Sequence, residues 1–291
     1  MLGSLVTAAI LAFLLAGRRD EFAAALSRTA PWVLAATALL QVVALIARSE
    51  AWHVSIEASG GKLVRRVLYR ASSMQVVGSL LNAQLGVAAR IAVLRRSSPT
   101  ASPRISTLIA AEFSILAIEA ILAALTSFTL VGPLGLPWWV PIIVLAVIAT
   151  TSAGLRRLAL RKGRELWKGL AVLRSRSRGS RVVAFVLVAV MAQIFRNWLL
   201  LDATGLHVSF FDAIAVLIAV VTLGQLPVGP AVGAAASVLI LGRDGLAPAA
   251  AAGVLMTVTG TIGGLCFAGW AGGDRLWALA HQPRLSQARM E

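Results

Sequence analysis

Acidic residues and cysteine are scarce in this sequence of 291 residues. There are 12 Asp and Glu against 27 Lys and Arg, a formal charge of +15, and only 13% of the residues are charged. An average soluble domain has about twice that charged fraction. The single cysteine, Cys266, excludes disulfides and cysteine-based zinc or redox sites within one chain. Because 58% of the residues are hydrophobic, the sequence predicts an integral membrane protein.

Motifs for catalysis are also missing. The sequence has no Gly-x-x-x-x-Gly-Lys phosphate loop, no His-x-x-x-His metal pair and no Gly-x-Ser-x-Gly nucleophile elbow. The three histidines, His53, His207 and His281, are far apart along the chain. We therefore expect no enzyme activity and no metal or cofactor. The positive charge is not accompanied by aromatic stacking platforms, so the expected partner is an anionic membrane surface and not nucleic acid.

Long apolar runs are abundant, and about 20 apolar residues are enough to cross a membrane as a helix. Residues 2–17 lack the basic start and the cleavage pattern of a signal peptide, so we expect this segment to be retained. The sequence predicts six transmembrane helices, at residues 2–17, 31–47, 105–130, 138–154, 182–201 and 247–270.

Two further apolar stretches, residues 71–94 and 212–241, are interrupted in the middle. The first carries several serine and amide side chains and Arg90, which is a high polar content for a helix facing lipid. The second is broken by Pro227 and Pro230 with neighbouring glycines. Each limb then has about 12 residues and a length of about 18 Å, too short to cross. Broken helices at membrane depth persist only where protein or water surrounds them, so we expect two re-entrant helical hairpins.

The distribution of Arg and Lys supports this topology, since short cytoplasmic loops collect cations. With both hairpins non-crossing and both termini cytoplasmic, 21 cations fall inside, four fall outside, and Arg90 and Arg196 remain embedded. The prediction is an all-α, multi-pass protein of the cell membrane built as an inverted repeat. Inverted repeats with interrupted helices are common in transporters, whose substrate site lies where the halves meet. The predicted parts are a first half at 1–154, a basic cytoplasmic segment at 155–181, a second half at 182–270 and a cytoplasmic tail at 271–291.

Characteristic motifs surround the two interrupted stretches. The first set is Arg48-Ser-Glu-Ala-Trp52, Gly60-Gly61, Asn82-Ala-Gln-Leu-Gly86-Val-Ala-Ala-Arg90 and Arg95-Arg96, and the second runs from Leu226-Pro227-Val228-Gly229-Pro230 to Leu241-Gly242. Together they resemble the flippase-like transmembrane domain of lysylphosphatidylglycerol synthases. The resemblance implies a stand-alone module that translocates or handles lipid, without the aminoacyl-transferring domain. It also implies that Arg90, Gly86, Gly229 and Gly233 are functional positions, whereas Val87 and residues 234–237 stand where the family has glutamates.

Four ionisable residues lie within apolar segments, where a charge costs on the order of 3 kcal/mol and is therefore a functional candidate. Glu112 and Glu119 share one helix face. A guanidinium suits a phosphate, so our hypothesis is that Arg90 and Arg196 receive a lipid phosphate from opposite sides. The two glutamates would then balance charge in the empty state. The alternative is that Arg90 pairs permanently with Glu112 and that Arg196 extends to the outer interface.

Further polar residues lie at the expected hairpin tips and in the basic segment. Asn82, Gln84 and Gln225 are candidates for contact with a lipid headgroup, although hydrogen bonding between helices would also explain them. Residues 156–181 contain ten cations, which either attract anionic lipid to the membrane surface or only set the topology. The cations assigned to the membrane surface are Arg174, Arg176 and Arg178.

These features predict a flippase-like protein of the cytoplasmic membrane. Its expected substrate is an anionic, phosphatidylglycerol-like phospholipid or a lipid-linked molecule, which it would translocate or handle. The alternative is a non-transporting membrane partner that binds anionic lipid and presents it to a separate envelope-biogenesis enzyme.

Overall fold

The computed structural model describes residues 9, 13, 15–58, 61, 63–79, 83–97, 105–147, 150, 176–224 and 231–280. Every regular element in these ranges is helical and none is a strand. Four helices in them are long and apolar enough to cross a membrane, namely Pro31–Ala58, Leu108–Leu125, Ser177–Ala203 and Leu246–Gly273. For the described residues, the prediction of an all-α protein with several helices able to cross a membrane is therefore confirmed.

The bounds of the helices follow in chain order. A 3-10 turn at Ser127–Leu130 precedes α6, and residues 140–147 are helical as well. In chain order the helices are α1 (Arg19–Arg28), α2 (Pro31–Ala58), α3 (Arg65–Ser79), α4 (Ala83–Ser97), α5 (Ile105–Leu125), α6 (Val131–Leu134), α7 (Arg176–Ala203), α8 (Phe210–Leu223), α9 (Val232–Leu241) and α10 (Leu246–Ala280).

Local chemistry explains several helix ends. α2 begins at Pro31, whose missing N–H would be unsatisfied at that position in any case. α8 begins with a capping box, in which the Ser209 hydroxyl accepts the Asp212 N–H and the Asp212 carboxylate accepts the Ser209 N–H. α6 ends at Gly135, whose φ of 61° is the left-handed conformation that glycine adopts without strain.

Four of the six predicted spans coincide with the long helices α2, α5, α7 and α10. Their boundaries differ from the prediction. α2 continues past residue 47 to Ala58 because Ser49, Glu50 and His53 are buried by other helices and do not form a loop. α5 ends before residue 130, α7 already begins inside the basic segment 155–181, and α10 extends 247–270 at both ends. The predicted spans 2–17 and 138–154 lie mostly or partly outside the described residues and stay predictions.

Each interrupted stretch forms a pair of short helices that pack against each other. α3 and α4 have 15 residues each, and α8 and α9 have 14 and 10. At about 1.5 Å per residue, none of them reaches the roughly 30 Å of a hydrocarbon core. In the first pair the contact is very close, because a Cβ added to Gly78 would lie 3.0 Å from the Cα of Gly86.

Two hydrophobic clusters lie at opposite ends of the long helices. One contains the C-terminal half of α2, the first part of α7, the α3–α4 pair and most of α5. The other contains the start of α2, the end of α7, the start of α10 and the α8–α9 pair. α2 and α7 therefore run antiparallel. The two pairs of short helices consequently lie at opposite ends of the bundle.

α10 packs against both pairs of short helices. A Cβ added to Gly253 would collide with the backbone of Ala234 in α9, and one added to Gly264 would lie 2.5 Å from Cγ1 of Val76 in α3. Small residues at these positions allow the helices to approach closely, as they do in many membrane proteins. α10 thus connects the two ends of the structure through direct packing.

Candidate functional site

Arg90 of α4 is buried between α2 and α5, with 3% of its surface exposed. Its guanidinium donates a hydrogen bond to the Glu112 carboxylate. Its Cζ also lies 3.7 Å from the centroid of the Trp52 indole ring, and a desolvated cation–π contact of this kind contributes about 2 kcal/mol. Arg90 is therefore held by a carboxylate on one side and an aromatic face on the other, which fits both a permanent pair with Glu112 and the charge balance that the phosphate hypothesis expects of the empty state.

A second ion pair lies beside the first. Nη2 of Arg48 in α2 donates to Oε2 of Glu119 in α5 at 3.1 Å, and the two side chains are 41% and 23% exposed. Arg48 and Trp52 lie one turn apart on α2, and Glu112 and Glu119 lie two turns apart on α5. The prediction that the two glutamates share a helix face is confirmed, since both point towards arginines of the neighbouring helices.

The order of these contacts fixes the direction of the helices. Arg48 precedes Trp52 along α2, whereas Glu119, which pairs with Arg48, follows Glu112 along α5. α2 and α5 are therefore antiparallel. The end of α2 and the start of α5 therefore lie at the same end of the bundle. The part of the chain between them, which contains α3 and α4, begins and finishes at that end.

A third polar contact joins α2 to α3. The Tyr69 hydroxyl donates to the buried Glu50 carboxylate, and Nη2 of Arg65 lies 3.6 Å from Oε2 of Glu50. The phenol of Tyr69 is protonated at neutral pH and donates to this carboxylate, and the contact fixes the first short helix to α2.

Arg196 of α7 is the second deeply buried arginine, with 7% of its surface exposed. Nη2 donates to the backbone carbonyl of Met256 and to Oγ1 of Thr259 at 3.3 Å, both on α10. Nε is buried and has no hydrogen-bond partner. No carboxylate of the described residues lies within 4.0 Å of this guanidinium. Arg196 therefore turns inward to α10 and does not extend to the interface, and its charge is surrounded by neutral acceptors.

Two glutamines extend the environment of Arg196 to α2. Nη1 of Arg196 donates to Oε1 of Gln193 at 3.0 Å, and Nε2 of Gln193 donates to Oε1 of Gln41 at 2.7 Å. Gly260 makes room for the guanidinium, because a Cβ added there would lie 2.8 Å from Nη2 of Arg196. The result is a polar chain that joins α10, α7 and α2, and we call Arg196, Gln193, Gln41 and Thr259 the Arg196 cluster.

Two of the predicted glycines lie at close helix contacts. A Cβ added to Gly86 would lie 2.7 Å from the carbonyl oxygen of Gln75, and one added to Gly233 would lie 2.5 Å from that of Gly253. Both glycines therefore serve packing between helices. Among the other predicted residues, Arg178 is exposed in the first turn of α7 and only the helical backbone is described at Gln84 and Arg176. Asn82, Gln225, Gly229 and Arg174 lie outside the described residues.

Sequence reasoning missed most partners of the embedded arginines. Arg48 was assigned to a cytoplasmic loop, although its spacing of four from Trp52 fits one helix face. Gln41 and Gln193 are isolated amides inside apolar spans, which is the signal that could have identified them. The position of Gly260 opposite Arg196 is visible only in the packed structure.

The chemistry available at these contacts is recognition of charge. Groups of three or more His, Cys, Asp or Glu that could hold a metal ion do not occur in the part of the chain that the structure describes. The Arg196 cluster offers one guanidinium with amide and hydroxyl groups around it, which suits binding of an anion.

Comparison with protein-family models, with curated proteins and with solved structures finds no match for this chain. The resemblance to the flippase-like domain of lysylphosphatidylglycerol synthases therefore stays a prediction.

Proposed function

We propose that this protein moves an anionic phospholipid, or a lipid-linked substrate with a similar headgroup, across the cytoplasmic membrane. The observation that supports this function best is the placement of two pairs of short helices at opposite ends of a bundle of long apolar helices. In transporters with inverted repeats, discontinuous helices form the substrate site where the two repeats meet, and one repeat moves against the other around that site.

The first pair enters the bundle from one end. α2 and α5 are antiparallel and long enough to cross, and the segment between them starts and finishes at the same end. Its helices are too short to cross, yet Leu68 and Ala71 of α3 are fully buried. A short helix is stable at membrane depth when protein covers it in this way, so the α3–α4 pair is a re-entrant hairpin in this proposal.

The second pair enters from the other end by the same reasoning. The last residues of α7 and the first residues of α10 belong to one hydrophobic cluster, so α8 and α9 lie between two helix ends on one side. Ala213, Ala215 and Val216 of α8 are fully buried. The two hairpins thus have opposite orientations in this proposal, and both pack on α10.

The choice of an anionic substrate follows from the buried charge. Arg90 is already paired with Glu112. At the contact between α7 and α10, by contrast, no carboxylate of the described residues lies within 4.0 Å of the Arg196 guanidinium. An intramembrane charge is a functional candidate by default, and an anion is its natural complement.

Lipid movement in reconstituted vesicles tests the proposal. Fluorescent phosphatidylglycerol is placed in both leaflets and an impermeant quencher is added outside, so that movement appears as loss of the protected inner fraction. We expect protein-containing vesicles to lose this fraction much faster than protein-free vesicles. Equal rates would contradict transport, and saturable lipid binding without movement would identify a lipid-presenting partner instead.

Glycine substitutions provide a matched pair of variants for this assay. Gly233→Ala places a methyl group 2.5 Å from the Gly253 carbonyl oxygen and should push α9 away from α10, whereas Gly269→Ala meets nothing within 4 Å. We expect the first change to slow lipid movement and the second to leave it unchanged. Both proteins must elute as folded, monodisperse species. Equal lipid movement in the two variants would show that packing of the second hairpin on α10 is not required.

A further inference from the structure

The Arg196 cluster contains one positive charge and no described group that neutralises it. We propose that this cluster is a receptor site for the headgroup of a singly charged phosphate diester, with the guanidinium of Arg196 as the charge receptor. This inference rests on the proposed lipid-handling function and specifies the class of substrate.

The charge balance selects a monoanion. Gln193, Gln41 and Thr259 are neutral, so the described cluster has a total charge of one. A phosphate diester carries one negative charge and would bring the buried site to neutrality. A phosphate monoester approaches two negative charges near neutral pH and would leave an excess negative charge in a medium of low dielectric constant, which is unfavourable.

The donors of the cluster match a phosphate. Nε of Arg196 is buried without a partner, and Nη2 donates to a backbone carbonyl and a hydroxyl, which are weaker acceptors than a phosphate oxygen. A phosphate oxygen that approaches this edge would receive two parallel N–H donors from one planar group. Gly260 is what keeps this edge of the guanidinium against α10, since any side chain there would displace Nη2.

The cluster also lies where the two parts of the chain meet. The hydrogen bond between Gln193 and Gln41 joins α7 to α2, and Arg196 joins α7 to α10. A substrate site at the contact between halves is the arrangement expected of inverted-repeat transporters. By contrast, the charge of Arg90 is already compensated by the Glu112 carboxylate.

Lipid binding by the purified full-length protein tests this assignment. Native mass spectrometry measures binding of phosphatidylglycerol, a phosphate diester, against phosphatidic acid, a phosphate monoester, and against zwitterionic phosphatidylcholine. We expect phosphatidylglycerol to bind most tightly and millimolar inorganic phosphate to leave this binding unchanged. Tighter Arg196-dependent binding of phosphatidic acid, or displacement by inorganic phosphate, would overturn the assignment to a singly charged lipid diester.

Three variants identify the residue responsible. Arg196→Gln should weaken phosphatidylglycerol binding by about tenfold, the usual consequence of losing hydrogen bonds to a charged partner. Gly260→Ala retains the charge but displaces the guanidinium, and should weaken binding as well. Arg243→Gln makes the same chemical change at an exposed position just after α9, outside the basic segment, and should leave binding unchanged. Equal effects of Arg196→Gln and Arg243→Gln would refute the site.

The outcome remains separable from that of the proposed function. If phosphatidylglycerol moves across vesicles at the same rate with Arg196→Gln, the transport function stands and the Arg196 site is wrong. If binding depends on Arg196 while no lipid moves, the site stands and the transport function is wrong.

Discussion

Removing Arg90 and Glu112 singly and together tests whether this pair is structural. Arg90→Leu leaves the Glu112 carboxylate, which is only 19% exposed, without its partner. Glu112→Leu leaves the guanidinium of Arg90 almost fully buried and still stacked on Trp52. The double variant removes both charges and leaves only the loss of the aromatic stack.

The expected magnitudes follow from these surroundings. Breaking a buried pair by removing one partner costs about 3–5 kcal/mol, because an uncompensated charge remains. Loss of the stack on Trp52 adds about 1–2 kcal/mol wherever Arg90 is replaced. Since each single variant includes the cost of an unpaired charge and the double variant does not, the double should cost at least about 3 kcal/mol less than the sum of the singles.

The free energy of unfolding is measured in mixed micelles by titration with a denaturing detergent, and lipid movement is measured in parallel. We expect strong coupling in stability and normal lipid movement in the double variant. If the losses of unfolding free energy in the two single variants sum to that of the double variant within about 0.5 kcal/mol, the structural pairing is refuted. A folded double variant that no longer moves lipid would restore Arg90 as a phosphate receptor.

Three further predictions concern the neighbouring charges and the topology. Arg48→Leu with Glu119→Leu should show a smaller coupling than the Arg90, Glu112 pair in the same titration, because protein encloses Arg48, which is 41% exposed, much less than Arg90; coupling as large as that of the buried pair would contradict this. Single cysteines at Ser98 and Ser177 in a cysteine-free background should both react with an impermeant thiol reagent from the cytoplasmic side only, and labelling from opposite sides would mean that the first hairpin crosses the membrane. Arg196→Gln should raise the melting temperature in neutral detergent without lipid, where a lower value would indicate that Arg196 is structural.

The helical layout was predictable because its causes are local in sequence. Apolar runs longer than about 18 residues have few stable structures in a membrane besides a crossing helix. The breaks in the two interrupted stretches were equally predictable, since proline, glycine and clustered polar residues limit helix length wherever they occur. The limbs observed in α3, α4, α8 and α9 follow these breaks.

Helix boundaries and charge partners were not predictable, because they depend on residues distant in the chain. The predicted second span ended at residue 47 since Arg48 looked like the start of a loop. The helix continues to Ala58 because Ser49, Glu50 and His53 are buried by other helices, and Glu119, 71 positions away, accepts a hydrogen bond from Arg48. The inward turn of Arg196 likewise depends on Met256 and on the space above Gly260, which no pattern around Arg196 reveals.

Arg90 and Arg196 are chemically identical and almost equally buried, but their neighbours differ. Arg90 is paired with a carboxylate, whereas Arg196 is surrounded by neutral acceptors and is the candidate site. Stability alone favours a neutral side chain at position 196, because neutral acceptors do not cancel a buried charge. At a site that binds an anion, this cost is offset only in the bound state. By mass action, the bound ligand stabilises the folded protein by about 2.7 kcal/mol at a ligand concentration a hundred times the dissociation constant. The stability advantage expected for Arg196→Gln in neutral detergent should therefore shrink or reverse when phosphatidylglycerol is added. The same lipid should leave the stability difference between the wild type and the Arg90, Glu112 double variant unchanged, since that pair is already neutral.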